Sequence, residues 1–325
     1  MAGPPAFTPQ NAAVLAAVSY IDPTGSPELQ LSAMSTALGN TSLPTAGEWQ
    51  IVWGPEDLGG NLMYIAQVQG STPGTSQVAV VIRGTIFDFP SNLLSDGEVA
   101  TQVPLPFPPP PHFAADAQIS NGAMQDWMNL ASMESGSPAV DAYQFLTALT
   151  GVVSVLVTGH SLGGQLATVA ATWIAGFLPK ADVQVITFAA PTAGNPSFAT
   201  SFDHVFAGNA TRYHSDLDVV PRAWAELQSI EQLFPKGPQC DTGCKTAVGI
   251  AEGFVANVTY TQPSADQLLT SAVYSEGAIG AWEDEGSAQH RMLLYLYMLG
   301  GASQELIQQV FDPKWVAPPG LSPPP

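Results

Sequence analysis

One serine stands in a setting that is typical of a catalytic nucleophile. Residues 159–163 read Gly-His-Ser-Leu-Gly, a G-x-S-x-G pattern centred on Ser161. The pattern falls between a predicted strand that ends near Thr158 and a predicted helix that begins near Leu162. Glycines on both sides permit a tight, strained turn that exposes the serine above a sheet, because larger side chains there would collide with neighbouring backbone. The alternative interpretation is a glycine-rich turn that binds an anion at a helix N-terminus.

A serine hydroxyl becomes a nucleophile at neutral pH with the help of a base, usually a histidine oriented by a carboxylate. In α/β-hydrolases the acid and then the histidine follow the serine along the chain. Of the five histidines, His290 lies far enough downstream to leave room for further strands and an acid. It also precedes an apolar helix predicted over 292–299, which would fix its loop. We therefore expect His290 to be the base, with an ordinary core or surface histidine as the alternative.

The acid is expected after a strand between the serine and the histidine. A strand predicted at 210–214 leads into a segment with two candidates, Asp216 and Asp218. Either carboxylate could orient the histidine or cap the turn, and we favour Asp218 with Asp216 in reserve. In so acidic a chain, we expect the arginines to hold the motif loops through charge-assisted hydrogen bonds. All four arginines flank these motifs: Arg83, Arg212, Arg222 and Arg291.

Acyl transfer also requires N–H donors for the negatively charged oxygen of the tetrahedral intermediate. The residue after the nucleophile, Leu162, is one expected donor. The second is Thr85, which follows a predicted strand and offers a hydroxyl as well as its backbone N–H. We expect Phe87 and Phe89, in the segment after this strand, to contact the substrate, together with His160 beside the nucleophile.

These residues require a frame of strands and helices to bring them together. The hydrophobic pattern predicts a helix at 11–20, a turn-rich stretch at 21–47, strands at 49–53, 62–68, 77–82, 152–157 and 182–188, and helices beginning at Ser137-Pro138 and at Leu162. The first three strands are separated by Gly and Pro clusters, which indicates an antiparallel run. The later strands alternate with helices, which indicates a parallel α/β sheet with right-handed crossovers. We therefore predict a single α/β domain over residues 1–325, with a mostly parallel central sheet flanked by helices and antiparallel strands at its N-terminal side.

Two long segments interrupt this frame. Residues 86–112 are apolar and end in four prolines, which predicts a lid-like loop without regular structure; a disordered connector and a proline-rich partner motif are the alternatives. The second segment is the insert 223–289 between the acid and the base. Its apolar residues recur at helical spacing, and we favour a core role over an acyl-binding site. These residues are Trp224, Leu227, Ile230, Leu233 and Phe234.

Composition narrows the class of partner. Among 325 residues, 8 Lys and Arg stand against 27 Asp and Glu, a formal net charge of −19. So acidic a chain lacks a basic surface for nucleic acid, and anionic membranes are disfavoured as well. The longest apolar runs are well short of the roughly 18 residues that span a bilayer, so we expect no transmembrane segment. The first residues show no signal-peptide pattern.

The two cysteines, Cys240 and Cys244, lie in a turn-rich stretch. One small disulfide could close there, as in an exported protein, or both thiols could be free. No further Cys or His lies nearby in sequence, so we expect no structural metal.

With these residues assembled, the sequence resembles the class 3, fungal-type lipase family of α/β-hydrolases. The matching segments are Val-Ile-Arg-Gly-Thr at 81–85, Thr-Gly-His-Ser-Leu-Gly-Gly-Gln-Leu-Ala at 158–167, Thr-Phe-Ala-Ala-Pro at 187–191 and Asp-Val-Val-Pro-Arg at 218–222. The last match favours Asp218 over Asp216. Ile82 stands where the family usually has an aromatic residue, and Ala189 where glycine is common.

The resemblance implies carboxylic ester hydrolysis through an acyl-enzyme, without metal or cofactor. Acylglycerols are the common substrates of the family, with phospholipids or feruloyl esters in some members. An esterase for short or soluble esters is the first alternative, and a non-catalytic binding protein on the same scaffold is the second. A lipid or ester substrate, transient contact with a lipid interface and a secreted location complete these expectations.

Overall fold

A computed structural model describes residues 7–21, 26–70, 74–85, 97–270, 273–274 and 281–321. The predicted substrate contacts Phe87 and Phe89 lie outside these ranges, as does the first part of the predicted loop 86–112. The strands, in chain order, are β1 Trp49–Leu58, β2 Asn61–Val68, β3 Thr75–Arg83, β4 Gln102–Pro104, β5 Gln118–Ser120, β6 Glu134–Ser135, β7 Val140–Asp141, β8 Val152–His160, β9 Asp182–Phe188, β10 Ala210–Ser215 and β11 Asp266–Leu269.

The helices within the described ranges surround this set of strands. In chain order they are α1 Pro9–Val18, α2 Pro27–Leu38, α3 Asn121–Ala131, α4 Ala142–Thr147, α5 Leu162–Phe177, α6 Pro196–Val205, α7 Thr242–Val255, α8 Trp282–Gln289, α9 Met292–Met298 and α10 Gln304–Val310. Short 3₁₀ helices lie at Gly97–Ala100, Val220–Arg222 and Leu227–Gln232. None of the helices in the described part of the chain has the length and apolar character needed to cross a membrane.

Seven of these strands form the central sheet, in the order β1-β2-β3-β8-β9-β10-β11. The pairs β1/β2 and β2/β3 are antiparallel, whereas every pair from β3 to β11 is parallel. Residues 152–157 are nearly all apolar because a parallel strand in the middle of such a sheet is covered on both faces. The predicted architecture, mostly parallel with antiparallel strands at the N-terminal side, is confirmed.

Alternate residues of β3 show how both faces are filled. Ala79 and Val81 belong to a core cluster that includes residues of α1, α2 and α9. Val80 and Ile82 point the other way, into a cluster that includes residues of α3, α5 and α6. Burial of both faces fixes the strand register, since a slip by one residue would exchange the two sets of side chains. The carboxyl ends of β3, β8 and β10 are thereby held at the same edge of the sheet, with β9 between β8 and β10.

A third core cluster contains the apolar residues of the insert. The five residues at helical spacing, from Trp224 to Phe234, are all buried there and pack with residues of α7. This confirms the core interpretation for them. Cys240 and Cys244 form a disulfide at the start of α7, where the carboxylate of Asp241 caps the helix by accepting from Cys244 N at 2.9 Å.

Three local predictions are wrong. The stretch 21–47 contains a helix, α2, in which Ser26 is the N-cap and Pro27 the first residue. Ser137-Pro138 starts no helix and lies between β6 and β7; α4 begins after Asp141 instead. The part of 86–112 that is described, from residue 97, is partly regular, with a 3₁₀ helix and β4 paired with β5.

Candidate active site

Ser161 sits in a sharp turn between the end of β8 and the start of α5. Its backbone has φ +60° and ψ −134°, a conformation that an L-residue adopts at a cost in strain. Two backbone bonds hold it there: Ser161 N donates to Phe188 O at 2.9 Å, and Gly164 N donates to Ser161 O at 2.9 Å. The turn thus places the serine side chain at the carboxyl edge of the sheet.

The glycines around Ser161 are required because backbone approaches them too closely for a side chain. A Cβ on Gly159 would collide with the carbonyl of Gly163, and a Cβ on Gly163 would collide with the carbonyl of Ile82 in β3. A Cβ on Gly84, at the end of β3, would lie 2.8 Å from the Cβ of Ser161. The predicted steric reason for the G-x-S-x-G pattern is therefore visible in the structure.

The structure brings Ser161, His290 and Asp218 together. His290 Nε2 lies 2.8 Å from Ser161 Oγ, and His290 Nδ1 lies 3.0 Å from Asp218 Oδ2 and 3.1 Å from Oδ1. With the imidazole proton on Nδ1, that N–H donates to the carboxylate and Nε2 accepts the serine O–H. His290 directly follows α8, Asp218 follows β10, and Ser161 precedes α5, so each residue occupies the end of a regular element.

The Asp218 carboxylate is fully buried and is held by donors on three sides. Besides His290, it accepts from Val220 N at 2.9 Å and from Tyr295 Oη at 2.8 Å. Tyr295 also accepts from Ser215 N at 2.9 Å, and burial followed by the nearby Asp218 charge raises its pKa. Sequence analysis missed Tyr295, whose one signal is a phenol within the apolar run after His290.

The reserve acid, Asp216, is placed differently. Its side chain makes no hydrogen bond to His290, and Asp216 Oδ1 has no partner in the part of the chain that the structure describes. Burial raises the pKa of this carboxyl. Of the two candidates it is Asp218, which the resemblance favoured, that contacts His290.

The candidate oxyanion donors lie beside the serine. Leu162 is the first residue of α5, so its N–H has no partner within the helix. Thr85 follows β3, whose Ile82 is paired with Gly159 of β8, and this register brings Thr85 to the same edge of the sheet as Ser161. Ser161 is 1% exposed and the His290 side chain 12%, so the site is covered rather than open above the sheet as the sequence suggested.

Comparison with known families agrees with this geometry. The family model for Lipase (class 3) matches residues 79–228, a range that contains the serine, the candidate acid and the candidate oxyanion segment. Residues 79–228 therefore belong to the class 3 lipase family.

Individual relatives match this chain over different lengths. Phospholipase A1-II 1 from Oryza sativa subsp. indica is 40% identical over 76 residues, 23% of this chain and 19% of that protein. Secreted mono- and diacylglycerol lipase 2 from Gibberella zeae is 24% identical over 248 residues, 73% of this chain and 57% of that protein. The chain therefore spans about a fifth of the rice relative and somewhat over half of the Gibberella relative.

Among solved structures, the crystal structure of M37 lipase matches with a TM-score of 0.79 at 23% identity. The match covers 93% of this chain and 96% of that chain. At this identity the likeness shows the fold, and the fold is the α/β-hydrolase fold that the sequence predicted.

His160 lies beneath the site. It is 4% exposed; its Nε2 is 2.8 Å from the carbonyl oxygen of His290, and its Nδ1 is 2.8 Å from Tyr20 Oη. Burial and then the neighbouring His290 lower its pKa well below the ordinary value. The expected substrate contact of His160 does not fit this arrangement, because protein atoms occupy both ring nitrogens. No spacing in the sequence pointed to Tyr20.

Three of the four arginines hold the motif loops in the predicted way. Arg83 binds Asp57 at 2.6 Å and the carbonyl of Gly60 at 3.2 Å, behind the candidate oxyanion segment. Arg212 donates to the carbonyls of Ala190 and Pro221, and Arg222 to that of Asp216, so both brace the acid loop.

Ala189 is a departure from the family pattern, in which glycine is common at this position. Its φ is +51°, in the left-handed region, which glycine adopts without strain. Glycine is therefore the less strained residue at this position, and this chain keeps alanine there, buried directly after β9.

Proposed function

We propose that this chain is a lipase that hydrolyses carboxylic esters of acylglycerols through Ser161, His290 and Asp218. The observation that carries the proposal is the continuous hydrogen-bonded series from Ser161 Oγ through His290 to the buried Asp218, with distances of 2.8 and 3.0 Å. A serine held in a strained turn and bonded to a histidine is the arrangement that activates a hydroxyl for attack on a carbonyl. The relatives described above, a mono- and diacylglycerol lipase and a phospholipase A1, are named for reactions of the same class.

The geometry supports a two-step reaction. Ser161 Oγ attacks the ester carbonyl while His290 Nε2 accepts its proton, and Asp218 stabilises the imidazolium that forms. The N–H groups of Leu162 and Thr85 donate to the oxygen that becomes negative. His290 then protonates the departing alcohol, and a water molecule, activated by the same histidine, releases the carboxylic acid from Ser161.

A secreted location accompanies this proposal. The disulfide between Cys240 and Cys244 is of a kind that persists in oxidising compartments, and the Gibberella relative is described as secreted. The formal charge of −19 points to neutral or zwitterionic lipid surfaces rather than anionic ones.

The proposal is tested with initial rates on p-nitrophenyl butyrate and p-nitrophenyl palmitate, below and above the solubility limit of each ester. Ser161→Ala serves as the blank, and it should lower kcat by about 10³-fold or more without unfolding the protein. A preference for palmitate that grows on emulsification supports a lipase. A preference for butyrate without that growth means an esterase for soluble substrates.

A non-catalytic binding protein is separated from both by covalent labelling. A small fluorophosphonate, added with the emulsified ester present and absent, should modify Ser161 and abolish turnover. No labelling and no Ser161-dependent rate on either ester would contradict the proposed function.

A further inference from the structure

Two buried side chains connect the oxyanion side of the site to its base. Gly84 N, adjacent to Thr85, donates to Tyr20 Oη at 3.2 Å, and Tyr20 Oη lies 2.8 Å from His160 Nδ1. His160 Nε2 lies 2.8 Å from the carbonyl oxygen of His290. Neither side chain, of Tyr20 or of His160, makes a hydrogen bond to Ser161 or Asp218, so the series runs from the backbone of Gly84 to the backbone of His290 and bypasses the reacting groups.

The direction of each bond follows from its acceptors. A carbonyl oxygen can only accept, so the proton of the neutral His160 ring must be on Nε2. Nδ1 is then an acceptor, and the hydroxyl of Tyr20 donates to it. The Tyr20 oxygen retains lone pairs for the Gly84 N–H. Every polar group in the series therefore has a partner in one consistent arrangement.

We propose that Tyr20 and His160 form a positioning pair that fixes the backbone of the oxyanion segment relative to the backbone of the catalytic base. The proposal rests on the hydrolase function proposed above and adds two residues that act through others. Tyr20 follows α1 and His160 ends β8, so the pair joins elements that meet at the site without being neighbours in sequence. Catalysis of this kind is sensitive to displacements of the reacting groups by about 0.5 to 1 Å.

The pair also keeps charge away from the base. The rings of His160 and His290 are in contact in a tilted arrangement, with centroids 4.6 Å apart and planes 33° apart. A protonated His160 would repel the imidazolium that His290 becomes during the reaction. Its two partners, a carbonyl acceptor and a phenol donor, suit the neutral ring, and burial lowers its pKa in the same direction.

Tyr20→Phe tests the pair because it removes the shared hydroxyl at nearly constant volume. It leaves Gly84 N and His160 Nδ1 without their partner, and kcat on p-nitrophenyl butyrate should fall by about 10- to 100-fold while KM stays within about twofold. His160→Gln keeps an amide donor but loses the ring acceptor, and a similar fall in kcat is expected. The double variant should be no slower than the slower single variant, because residues acting as one unit are not additive.

Tyr64→Phe is the matched control. Tyr64 is a buried tyrosine whose hydroxyl donates to Leu15 O at 2.7 Å within the core, away from the triad. Its loss should lower stability comparably and leave kcat unchanged. If Tyr20→Phe and His160→Gln have the same kcat as Tyr64→Phe, the positioning pair is refuted. A change in KM without a change in kcat would also refute it.

The Ser161→Ala blank distinguishes refutation of the positioning pair from refutation of the proposed function. Absence of Ser161-dependent turnover in the unsubstituted protein overturns both proposals. Ser161-dependent turnover with a full rate in the Tyr20 and His160 variants overturns the positioning pair alone. If Tyr20→Phe does not fold, His160→Gln and its comparison with Tyr64→Phe give the same decision.

Discussion

At the scale of single residues, burial of His160 makes stability depend on pH. An unfolded histidine has a pKa near 6.5, and burial lowers the value in the folded state. Between these two values the unfolded chain binds more protons, so the free energy of unfolding falls as pH falls below about 6.5. The slope from one such group is roughly 1 kcal/mol per pH unit.

Urea unfolding between pH 7.5 and pH 5 checks this expectation. The free energy of unfolding of His160→Gln should depend less steeply on pH than that of the unsubstituted protein. The difference in stability between the two proteins should therefore shrink toward acid pH. His214→Gln is the comparison, because burial and Arg212 lower the pKa of His214 as well but this ring is partly exposed. Its effect on the slope should be smaller. Parallel curves for His160→Gln and the unsubstituted protein would contradict the expected direction of this pH dependence.

The hydroxyl of Tyr295 makes hydrogen bonds to two buried groups, the backbone N–H of Ser215 and the carboxylate of Asp218. Tyr295→Phe leaves Ser215 N without an acceptor and removes one donor from Asp218, so we expect a loss of about 1 to 3 kcal/mol in stability together with a lower kcat. Tyr297→Phe, in the same helix, removes one longer bond of 3.3 Å to Leu321 O and should change kcat little. Chemical unfolding and initial rates of both variants measure the difference; equal effects would exclude a role for Tyr295 in holding the acid.

Some residues of the site could be predicted from the sequence, and others could not because their partners lie far away along the chain. Ser161 is marked by its own neighbours, and chain order points from it to His290 and to the acid. Tyr20 carries no such mark, because it lies 140 residues before His160 and the contact is made by packing of α1 against the sheet. The contacts of His160 were not predicted for the same reason: its neighbour in sequence is Ser161, but its hydrogen-bond partners belong to distant segments.

At the scale of elements, the contact between α5 and β3 leaves no room at Gly163. Gly163→Ala should reduce stability by about 3 kcal/mol or more and abolish activity, because a Cβ there would collide with the carbonyl of Ile82. Gly253→Ala is the control within α7, where nothing lies within 4 Å of the added Cβ. It should stabilise the protein by about 0.5 to 1 kcal/mol. Thermal unfolding compares the two, and tolerance of Gly163→Ala would contradict the observed approach of the strand.

The disulfide secures the start of α7. Replacing Cys240 and Cys244 by Ser together should lower stability by about 2 kcal/mol, the value expected for closing so short a loop. The effect should be reproduced by reducing the unsubstituted protein and should be absent when the double variant is treated with the same reductant. A loss on reduction of the double variant would show that the reductant acts elsewhere.

Two Ser-Pro pairs show why some elements were predicted and others were not. Ser26-Pro27 lies in a stretch whose Pro and Gly content suggested turns, yet it caps α2, which is held by burying Met34 and Leu38 against the core. Ser137-Pro138 has the same local pattern and starts no helix. The local signal is identical, and tertiary burial decides between the outcomes. The strand β9 was predicted with its observed bounds because its apolar residues Val183, Val185, Ile186 and Phe188 are all buried in the structure.

At the scale of the whole molecule, the charge of −19 acts on every lipid surface that the enzyme meets. Hydrolysis of an emulsified ester should slow when about a fifth of a phosphatidylcholine coating is exchanged for phosphatidylglycerol, because like charges repel the protein from the interface. Added salt should restore the rate, since screening shortens the range of the repulsion. Rates at low and at about 0.5 M NaCl on both coatings measure this. A faster rate on the anionic coating would point to a local basic contact that outweighs the total charge.

The covered nucleophile has a consequence for how the protein would use its substrate. Because Ser161 is 1% exposed, we expect an ester to reach the hydroxyl after the surrounding chain rearranges. We expect that rearrangement to be favoured at an oil–water boundary, so that turnover follows the area of droplet surface rather than the moles of ester in the vessel. Halving droplet diameter at constant total ester doubles that area and should nearly double the initial rate when enzyme is in excess over surface sites. The resting protein should then hydrolyse a dissolved ester more slowly than the same ester at a droplet surface.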